Sequence, residues 1–378
     1  MIVFSFGLLA LAALLDGLFW RRHRSRWLAV VLALSHLPIL VMAVSGMLLR
    51  DNTTGWMYLS MWLFWLWLLL LLPRLVLYLF RALRLPRAGA VLALLTAAVL
   101  IWGATAGRTT VRVSRVEVCS AKLPAAFDGF RIVQLSDMHV GTLVSPEREL
   151  QRLVDSVNAQ HPDLILFTGD LVNIRSSELN DRIAAVLRGL HAPVAAVTGN
   201  HDSGLYIKDK THQSEAESLQ AVIDWQRGIG WQVLEDTTVY LVRGADSIAL
   251  SGIAYDPAVR WKRHDHTLPP ARLDVVYRDV PAELFNVTAV HLPQLWEQIL
   301  ETPYGDLTVA GHVHSMQTKL RLFGRTFSPA CWMYDRWSGR YEADGRALYI
   351  NDGTGYVLYP MRLGAWPEIT LFTLRRCA

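Results

Sequence analysis

Five short apolar runs in the chain are each followed directly by residues that commonly bind metals, and this repeated pattern restricts the fold more than any other feature. The runs RIVQLS, LILFTG, VAAVTG, FNVTAV and LTVAG are rich in β-branched residues and flanked by turn residues, which predicts buried strands. The residues that follow them are Asp137, His139, Asp170, Asn200, His201, His291, His312 and His314. One such residue after a strand is ordinarily a turn or a helix cap. Five in succession predict a common site.

A helix is predicted between the first two strands. Ser145 can cap it and Pro146 suits its first turn. Apolar residues then recur at helical spacing, at Leu150, Leu153, Val154 and Val157. Strand, helix and strand in this order imply a parallel crossover, and ligands of α/β sheets gather beyond the carboxyl ends of the strands. We therefore expect the listed residues to converge.

The composition changes sharply near residue 107. Residues 1–107 are dominated by Leu, Ala, Val and Trp, and residues 108–378 mix charges, turns and alternating apolar runs as a separate α/β domain does. The first region contains four apolar stretches, near 2–20, 27–49, 56–80 and 88–107. Each approaches or exceeds the roughly 20 residues that a helix needs to cross a bilayer, so about four transmembrane helices are predicted.

The arginines of the short loops predict an orientation. Loops 21–26 and 81–87 are rich in Arg, whereas the loop between them has only Arg50. By the positive-inside rule the first and third loops are cytoplasmic, which leaves the second domain outside the cytoplasm. The arginines just after the last stretch argue in the opposite direction. The basic residues follow the first stretch instead of preceding it, unlike those of a cleavable signal.

Two polar residues, Asp16 and His36, fall inside or near these stretches. Ionisable groups within a membrane are candidates for function. The alternatives are a helix end for Asp16 and a proline-associated kink for His36.

Neither the net charge nor the cysteine pattern indicates a particular partner or a disulfide framework. A net charge of +4 over 378 residues offers no case for nucleic acid as a partner. Cys119, Cys331 and Cys377 form no CxxC motif, so unpaired thiols are expected, with one disulfide left open.

The order DxH, GD, GNH, H and GHxH resembles that of the calcineurin-like metallophosphoesterases. It is present as SDMHVG, TGDLV, TGNHDS, VHLPQ and AGHVHS over residues 131–315. The tail from YEADGRALYINDGTGY onward also resembles the end of bacterial members of the YkuE and YaeI type. The resemblance spans nearly all of 108–378. It implies a calcineurin-like phosphoesterase domain there, an α/β four-layer αββα sandwich with two β-sheets packed face to face between helices.

The resemblance also implies a site for two divalent metal ions. By position, one ion would be held by Asp137, His139, Asp170 and His314. The other would be held by Asp170, Asn200, His291 and His312, with Asp170 bridging the two. His201 matches the family's non-ligand histidine beside the scissile phosphate. Asp202, next in sequence, is a candidate catalytic partner for it, with a plain turn Asp as the alternative. Oxygen and nitrogen ligands without thiolates suit Mn, Fe, Zn or Co.

Departures from the family pattern concern substrate preference and not the metal centre. Gln294 stands where relatives often have Asp, and Ser315-Met316 stand where many have glycines. Two segments are candidates for substrate or membrane contact. The loop 255–272, with Trp261, Lys262, Arg263, His264 and His266, is otherwise a solvated basic loop, and the aromatic-rich segment 331–341 is otherwise core packing.

The predicted function is metal-dependent hydrolysis of a phosphomonoester or phosphodiester by a metal-activated water. Membrane helices point to a lipid-linked or cell-envelope substrate, on the outer (periplasmic) face of a bacterial cell membrane that the chain crosses several times. One alternative is a nucleotide-lipid pyrophosphatase of the UDP-diacylglucosamine type that faces the cytoplasm. The other is a non-catalytic, metal-bearing scaffold.

Overall fold

The computed structural model describes residues 2–259 and 268–377, with the backbone alone for residues 2–4, 22 and 23. The chain divides into two compact units. The first is Met1–Arg108 together with Val357–Met361, and the second is Thr109–Tyr356 together with Arg362–Ala378. The basic cluster that the sequence places at 261–266 lies outside the described residues.

The first unit is helical. Its helices are α1 (Ile2–His23), α2 (Arg26–Leu34), α3 (Leu37–Leu48), α4 (Thr54–Ala82) and α5 (Pro86–Thr105). Among the described residues, α4 and α5 are long and apolar enough to cross a membrane, and the pair α2–α3, bent by 42°, makes a third if it is one span. This is fewer than the four predicted. The second apolar stretch is broken because Pro38, which lacks an amide hydrogen, starts a new helix in the first turn of α3.

Asp16 and His36 lie in one buried polar network in this unit. The Asp16 carboxylate accepts hydrogen bonds from His36 Nε2 at 2.9 Å and Tyr78 OH at 2.8 Å. It also forms an ion pair with Arg74 Nη2 at 3.0 Å. Trp67 Nε1 donates to His36 Nδ1 at 3.0 Å. Because Nδ1 accepts a hydrogen bond, the His36 proton is on Nε2 and is donated to Asp16. We call these five residues the Asp16 network, which joins α1, the start of α3, and α4.

The second unit contains two six-stranded sheets and a separate hairpin. The first sheet, in the order β1-β14-β2-β3-β4-β5, consists of β1 (Arg112–Ser120), β2 (Arg131–Leu135), β3 (Leu164–Phe167), β4 (Val194–Ala196), β5 (Gln232–Val233) and β14 (Glu368–Arg376). The second sheet, in the order β12-β13-β9-β8-β7-β6, consists of β6 (Thr237–Arg243), β7 (Asp246–Gly252), β8 (Asn286–Ala289), β9 (Leu307–Ala310), β12 (Gly339–Ala343) and β13 (Arg346–Ile350). The hairpin is β10 (Leu320–Leu322) with β11 (Arg325–Phe327).

The two sheets share one hydrophobic core. Ile132 and Leu166 of the first sheet belong to the same buried cluster as Leu250 and Val309 of the second. The helices of this unit are α6 (Pro146–Asn158), α7 (Asp181–Leu187), α8 (Glu215–Gly228), α9 (Leu273–Val276) and α10 (Trp296–Leu300). The unit is therefore a mixed α/β domain.

The predicted crossover helix is α6. Its four apolar residues at helical spacing are all buried. The predicted cap differs in detail, because the Ser145 side chain makes no capping bond and its backbone amide instead donates to Glu149 Oε1 at 2.8 Å. Strands β2, β3 and β4 are parallel, as are β7, β8 and β9, so the carboxyl ends within each set lie at one edge.

Candidate metal centre

Five strand ends deliver the predicted residues, three from the first sheet and two from the second. The assignments are β2 to Asp137 and His139, β3 to Asp170, β4 to Asn200, β8 to His291, and β9 to His312 and His314. The centre thus lies where the carboxyl edges of both sheets meet.

The backbone at these strand ends is unusual. Asp137, His139, Asp170, His312 and His314 have φ of 53°, 43°, 61°, 74° and 53°. A left-handed conformation of a non-glycine residue costs on the order of 1–3 kcal/mol and persists only where its surroundings impose it. Five such residues in one place are typical of a functional site.

Two glycines next to these residues are required by close approach. A Cβ on Gly199 would lie 2.2 Å from Asp170 Oδ1. A Cβ on Gly311 would lie 1.9 Å from Ser136 Oγ and 2.5 Å from Asp137 Oδ2. Gly199 and Gly311 therefore leave room for the carboxylates of Asp170 and Asp137.

The first cluster of potential ligands is Asp137, His139, Asp170 and His314, all buried. One ligand atom from each lies within 4.8 Å of the others. The Nε2 atoms of His139 and His314 are 3.1 Å apart, and His314 Nε2 is 3.0 Å from Asp137 Oδ1.

The second cluster contains Asp170 again, with His291 and His312. Asn200 Oδ1 lies 2.8 Å from both His291 Nε2 and His312 Nδ1, which adds a fourth donor atom. Asp170 Oδ2 is 3.2 Å from His291 Nε2 and 3.7 Å from His139 Nε2, so this carboxylate faces both clusters.

Neighbouring polar groups orient the second cluster. His291 Nδ1 donates to the carbonyl oxygen of Thr168 at 2.7 Å, so Nε2 is the ring atom that faces the centre and would bind an ion after losing its own proton. Asn200 Nδ2 donates to Tyr206 OH at 2.9 Å, which directs Oδ1 inward.

Electrostatics favour the forms that bind metal. Burial acts to raise the pKa of Asp137, but His314 outweighs it and the pKa is lowered. The pKa of Asp170 is also lowered well below its usual range, because His291 and His201 outweigh its burial. Burial lowers the pKa of His312 to about 3, with a further contribution from His291. His291 is the exception: burial acts to lower its pKa, but Asp170 outweighs it and raises the pKa to about 9.

The donor set fits divalent cations. Two carboxylates, four imidazoles and an amide oxygen converge. The Nε2 atoms of His139 and His314 face each other, and at most one of them can donate a hydrogen bond to the other. A cation satisfies such a convergence of lone pairs.

His201 lies at the edge of the first cluster. Its ring centroid is 4.6 Å from that of His139, and it stacks on Tyr206 at 4.2 Å. Its Nδ1 is 2.5 Å from the carbonyl oxygen of Asn173, and its amide donates to Asp170 Oδ1 at 2.8 Å. Burial lowers the pKa of His201, which favours the neutral ring with Nε2 free to act on a bound group.

Asp202 has a different neighbourhood from the one expected. Its carboxylate accepts the backbone amides of Gly199, Asp170, Leu171 and Val172 at 2.8 to 3.2 Å. The partner of the His201 ring is the Asn173 carbonyl and not this carboxylate. Asp202 therefore holds together the two loops that follow β3 and β4.

Two residues of the C-terminal segment, Gly353 and Arg362, also lie at the centre and were not among the predicted site residues. A Cβ on Gly353 would lie 2.8 Å from Asp137 Cβ and 3.0 Å from His314 Nδ1. Arg362 is fully buried, donates to the carbonyls of Asp352 and Gly355, and places Nη2 3.5 Å from His314 Nδ1. The glycines of NDGTGY were the available signal for this close approach.

Two further features border the centre. A cavity of about 390 Å³ is lined by His291 and, among others, Tyr255, Leu292 and Arg272. In the aromatic segment, the Tyr334 ring lies 6.1 Å from that of His312, whereas Trp332 is 81% exposed. Core packing thus accounts for only part of this segment.

Sequence comparison decides the family. Residues 130–316 match the model of the calcineurin-like phosphoesterases. LpxG of Chlamydia trachomatis, named as a UDP-2,3-diacylglucosamine pyrophosphatase, is 32% identical over 306 residues, covering 68% of this chain and 87% of LpxG. The chain belongs to the calcineurin-like phosphoesterase family.

Two other relatives in this family broaden the comparison. The metallophosphoesterase YkuE of Bacillus subtilis is 28% identical over 260 residues, covering 68% of this chain and 82% of YkuE. A zebrafish transmembrane protein with a metallophosphoesterase domain is 31% identical over 297 residues, covering 76% of this chain and 62% of that protein. The predicted family and enzyme class, a metallophosphoesterase hydrolase, are confirmed, and this relative together with α4 and α5 supports membrane association.

Proposed function

We propose that this phosphoesterase binds two divalent metal ions and hydrolyses a phosphoester of a lipid-linked or cell-envelope substrate. The observation that carries the proposal is the pair of ligand clusters that share Asp170, in a chain that also has apolar helices of membrane-spanning length. One ion is assigned to Asp137, His139, Asp170 and His314. The other is assigned to Asp170, Asn200, His291 and His312. The fold is assigned the family's four-layer αββα arrangement.

The residues around the ions have distinct tasks. When bound, divalent ions of the Mn, Fe, Zn or Co type neutralise phosphate charge and acidify a bound water. Asp170, which belongs to both clusters, would bind both ions and offset their mutual repulsion. His201 donates its Nδ1 proton to the Asn173 carbonyl and directs Nε2 to the phosphate or the leaving oxygen, and its protonated form donates the Nε2 proton there. Asp202 is a positioning residue through its four backbone bonds.

Membrane association supports the substrate class. A tether raises the local concentration only of substrates at the same surface. The cavity beside His291 has apolar walls that include Leu292 and Leu295, which suit the organic part of an amphiphilic phosphoester. Its charged part includes Arg272, whose Nη1 lies 3.6 Å from Asp236 Oδ2. A second candidate is a pyrophosphatase acting on a nucleotide lipid, favoured by the name of LpxG.

A disulfide supports an extracytoplasmic domain. Cys119 and Cys377 are bonded, with Cα atoms 5.7 Å apart, and Cys331 is free and exposed. The expectation of three unpaired thiols is therefore wrong for two of them, because parallel pairing of β1 with β14 brings the distant residues together. Disulfides persist mainly in oxidising compartments. With α1, α2–α3, α4 and α5 each assigned one crossing, the arginine-rich loops place the domain on the same outer, periplasmic side.

The chemistry is tested with purified full-length protein and paired soluble phosphomonoester and phosphodiester substrates in Mn²⁺. We expect turnover by the wild type, and loss of both turnover and metal content in Asp170→Asn. His201→Ala should keep its metal and lose about 10²–10⁴-fold in rate. Asp155→Asn, an exposed change on α6, is the matched control. Full turnover by Asp170→Asn would refute the bridging role. A wild type that binds two metals without turnover on envelope lipids would favour the scaffold.

The side of the membrane on which the phosphoesterase domain lies distinguishes the two candidate substrates. In intact cells stripped of any outer layer, a membrane-impermeant maleimide should label Cys331 if the domain is outside. Reductant should raise the number of alkylated cysteines in the denatured protein from one to three. Labelling of Cys331 only after lysis, with all three thiols already free, would favour the cytoplasmic pyrophosphatase.

A further inference from the structure

The hairpin formed by β10 and β11 stands apart from both sheets. Its strands pair Leu320 with Phe327 and Leu322 with Arg325, and both strands belong to a two-stranded sheet of their own. Every residue from 320 to 327 is exposed. An isolated two-stranded hairpin is marginally stable in water, so a surface that covers it would stabilise it.

The exposed surface of this hairpin is apolar. Phe323 is 101% exposed, Leu320 54%, Phe327 49% and Leu322 44%. Phe323 and Gly324 have φ of 50° and 77°, a tight turn that places the Phe ring at the tip. Because side chains alternate along a strand, Leu320, Leu322 and Phe327 share one face.

The charge around the tip has one sign. Residues 320–334 contain Arg321 and Arg325 and no Asp or Glu, whereas the adjacent Lys319 is paired with Asp352. Trp332, shortly after the hairpin, is 81% exposed. Apolar and aromatic side chains flanked by arginines are typical of segments that enter the interface of an anionic membrane.

We propose that the β10–β11 hairpin, together with Trp332, inserts into the interface of an anionic lipid bilayer. The partner is a bilayer because the chain carries its own apolar helices of spanning length, and because the basic residues complement anionic headgroups. Leu320 follows the metal-centre residue His314 by only six positions, so insertion holds a lipid-borne phosphate near the centre. This last consequence rests on the proposed function, whereas insertion itself does not.

Insertion is tested by fluorescence quenching in full-length protein. In a Cys331→Ser background, which retains the disulfide, Phe323→Cys is labelled with an environment-sensitive fluorophore. The protein is reconstituted into vesicles of equal parts phosphatidylcholine and phosphatidylglycerol, with or without lipids carrying a spin label in the acyl chain. The matched control is Val242→Cys, near the tip of the β6–β7 hairpin and 67% exposed. We expect strong quenching and a blue shift at 323 only. Equal quenching at both positions, or none at 323, would overturn the proposal.

Two further variants test the chemistry of the contact. Arg321→Glu with Arg325→Glu should reduce quenching at 323 in anionic vesicles, and retained quenching would exclude the electrostatic part. Phe323→Asp should lower hydrolysis of a vesicle-borne phosphoester about tenfold while leaving a soluble phosphoester unaffected. An equal loss on both substrates would refute a membrane role for Phe323. No turnover of either substrate by the wild type would instead contradict the proposed function and leave the quenching result intact.

Discussion

At the residue scale, the metal centre is built on left-handed backbone that continues beyond the predicted ligands. Ser315, Met316 and Gln317 also have positive φ, at 49°, 46° and 59°. Glycine would adopt this conformation at no steric cost. Here Ser315 Oγ donates to Asp352 Oδ1 at 2.5 Å, and Ser328 Oγ donates to the Ser315 carbonyl at 2.6 Å. These bonds help to hold the turn.

Gly311→Ala should lower metal affinity. The new methyl group would overlap Ser136 Oγ and crowd the Asp137 carboxylate, so Asp137 would have to move. The metal affinity measured by titration and the metal content of the purified protein should both fall. Gly228→Ala is the matched control, since a Cβ there meets no atom within 4 Å, and it should raise stability by up to about 1 kcal/mol. Unchanged metal affinity in Gly311→Ala would show that the loop can relax.

At the element scale, the break between α2 and α3 creates a place for polar groups among apolar helices. The break positions His36 against Asp16 of α1, and α4 supplies Trp67, Arg74 and Tyr78. Asp16 and His36 thereby find polar partners on α4. We infer that the Asp16 network fixes how three helical segments pack.

Asp16→Ala should therefore destabilise the first unit. It leaves His36, Arg74 and Tyr78 without their shared acceptor, and removal of one partner from a buried ion pair costs about 3–5 kcal/mol. Thermal unfolding in detergent should occur at a lower temperature. Leu14→Ala, which truncates a side chain that is 60% exposed on the same helix, should have a much smaller effect. Equal shifts for the two variants would contradict a stabilising network.

At the scale of the whole molecule, the centre joins the two sheets of the second unit. Asp137, Asp170 and Asn200 follow strands of one sheet, whereas His291 and His312 follow strands of the other. Ions bound there would connect both sheets in the folded state alone. Metal binding is thus coupled to the stability of this unit.

Removal of metal should lower the unfolding temperature. A ligand that binds only the folded state at about 100 times its Kd stabilises it by about 2.7 kcal/mol. Unfolding of the wild type should shift downward after chelation and recover with Mn²⁺. Asp170→Asn should show little response to either treatment. A wild-type transition that is insensitive to chelation would argue against ions bridging the sheets.

The sequence by itself determined the elements and most of the centre. The five strands, helix α6 and the family follow from local apolar runs and motif order, because strand ends and crossovers are encoded by nearby residues. The strand ends identify the candidate residues, since parallel strands bring their carboxyl ends to one edge, and the family resemblance selects the seven ligand candidates among them.

Only the tertiary structure decided the contacts between residues distant in sequence. Asp202 faces backbone amides, Asp16 meets His36, and Cys119 bonds to Cys377, at a separation of 258 residues. The tail glycine and Arg362 reach His314 in the same way. Such pairings depend on which strands and helices become neighbours, and local periodicity carries no information about that. The number of membrane-crossing helices likewise depended on a break at Pro38, which the mean hydropathy of the stretch does not reveal.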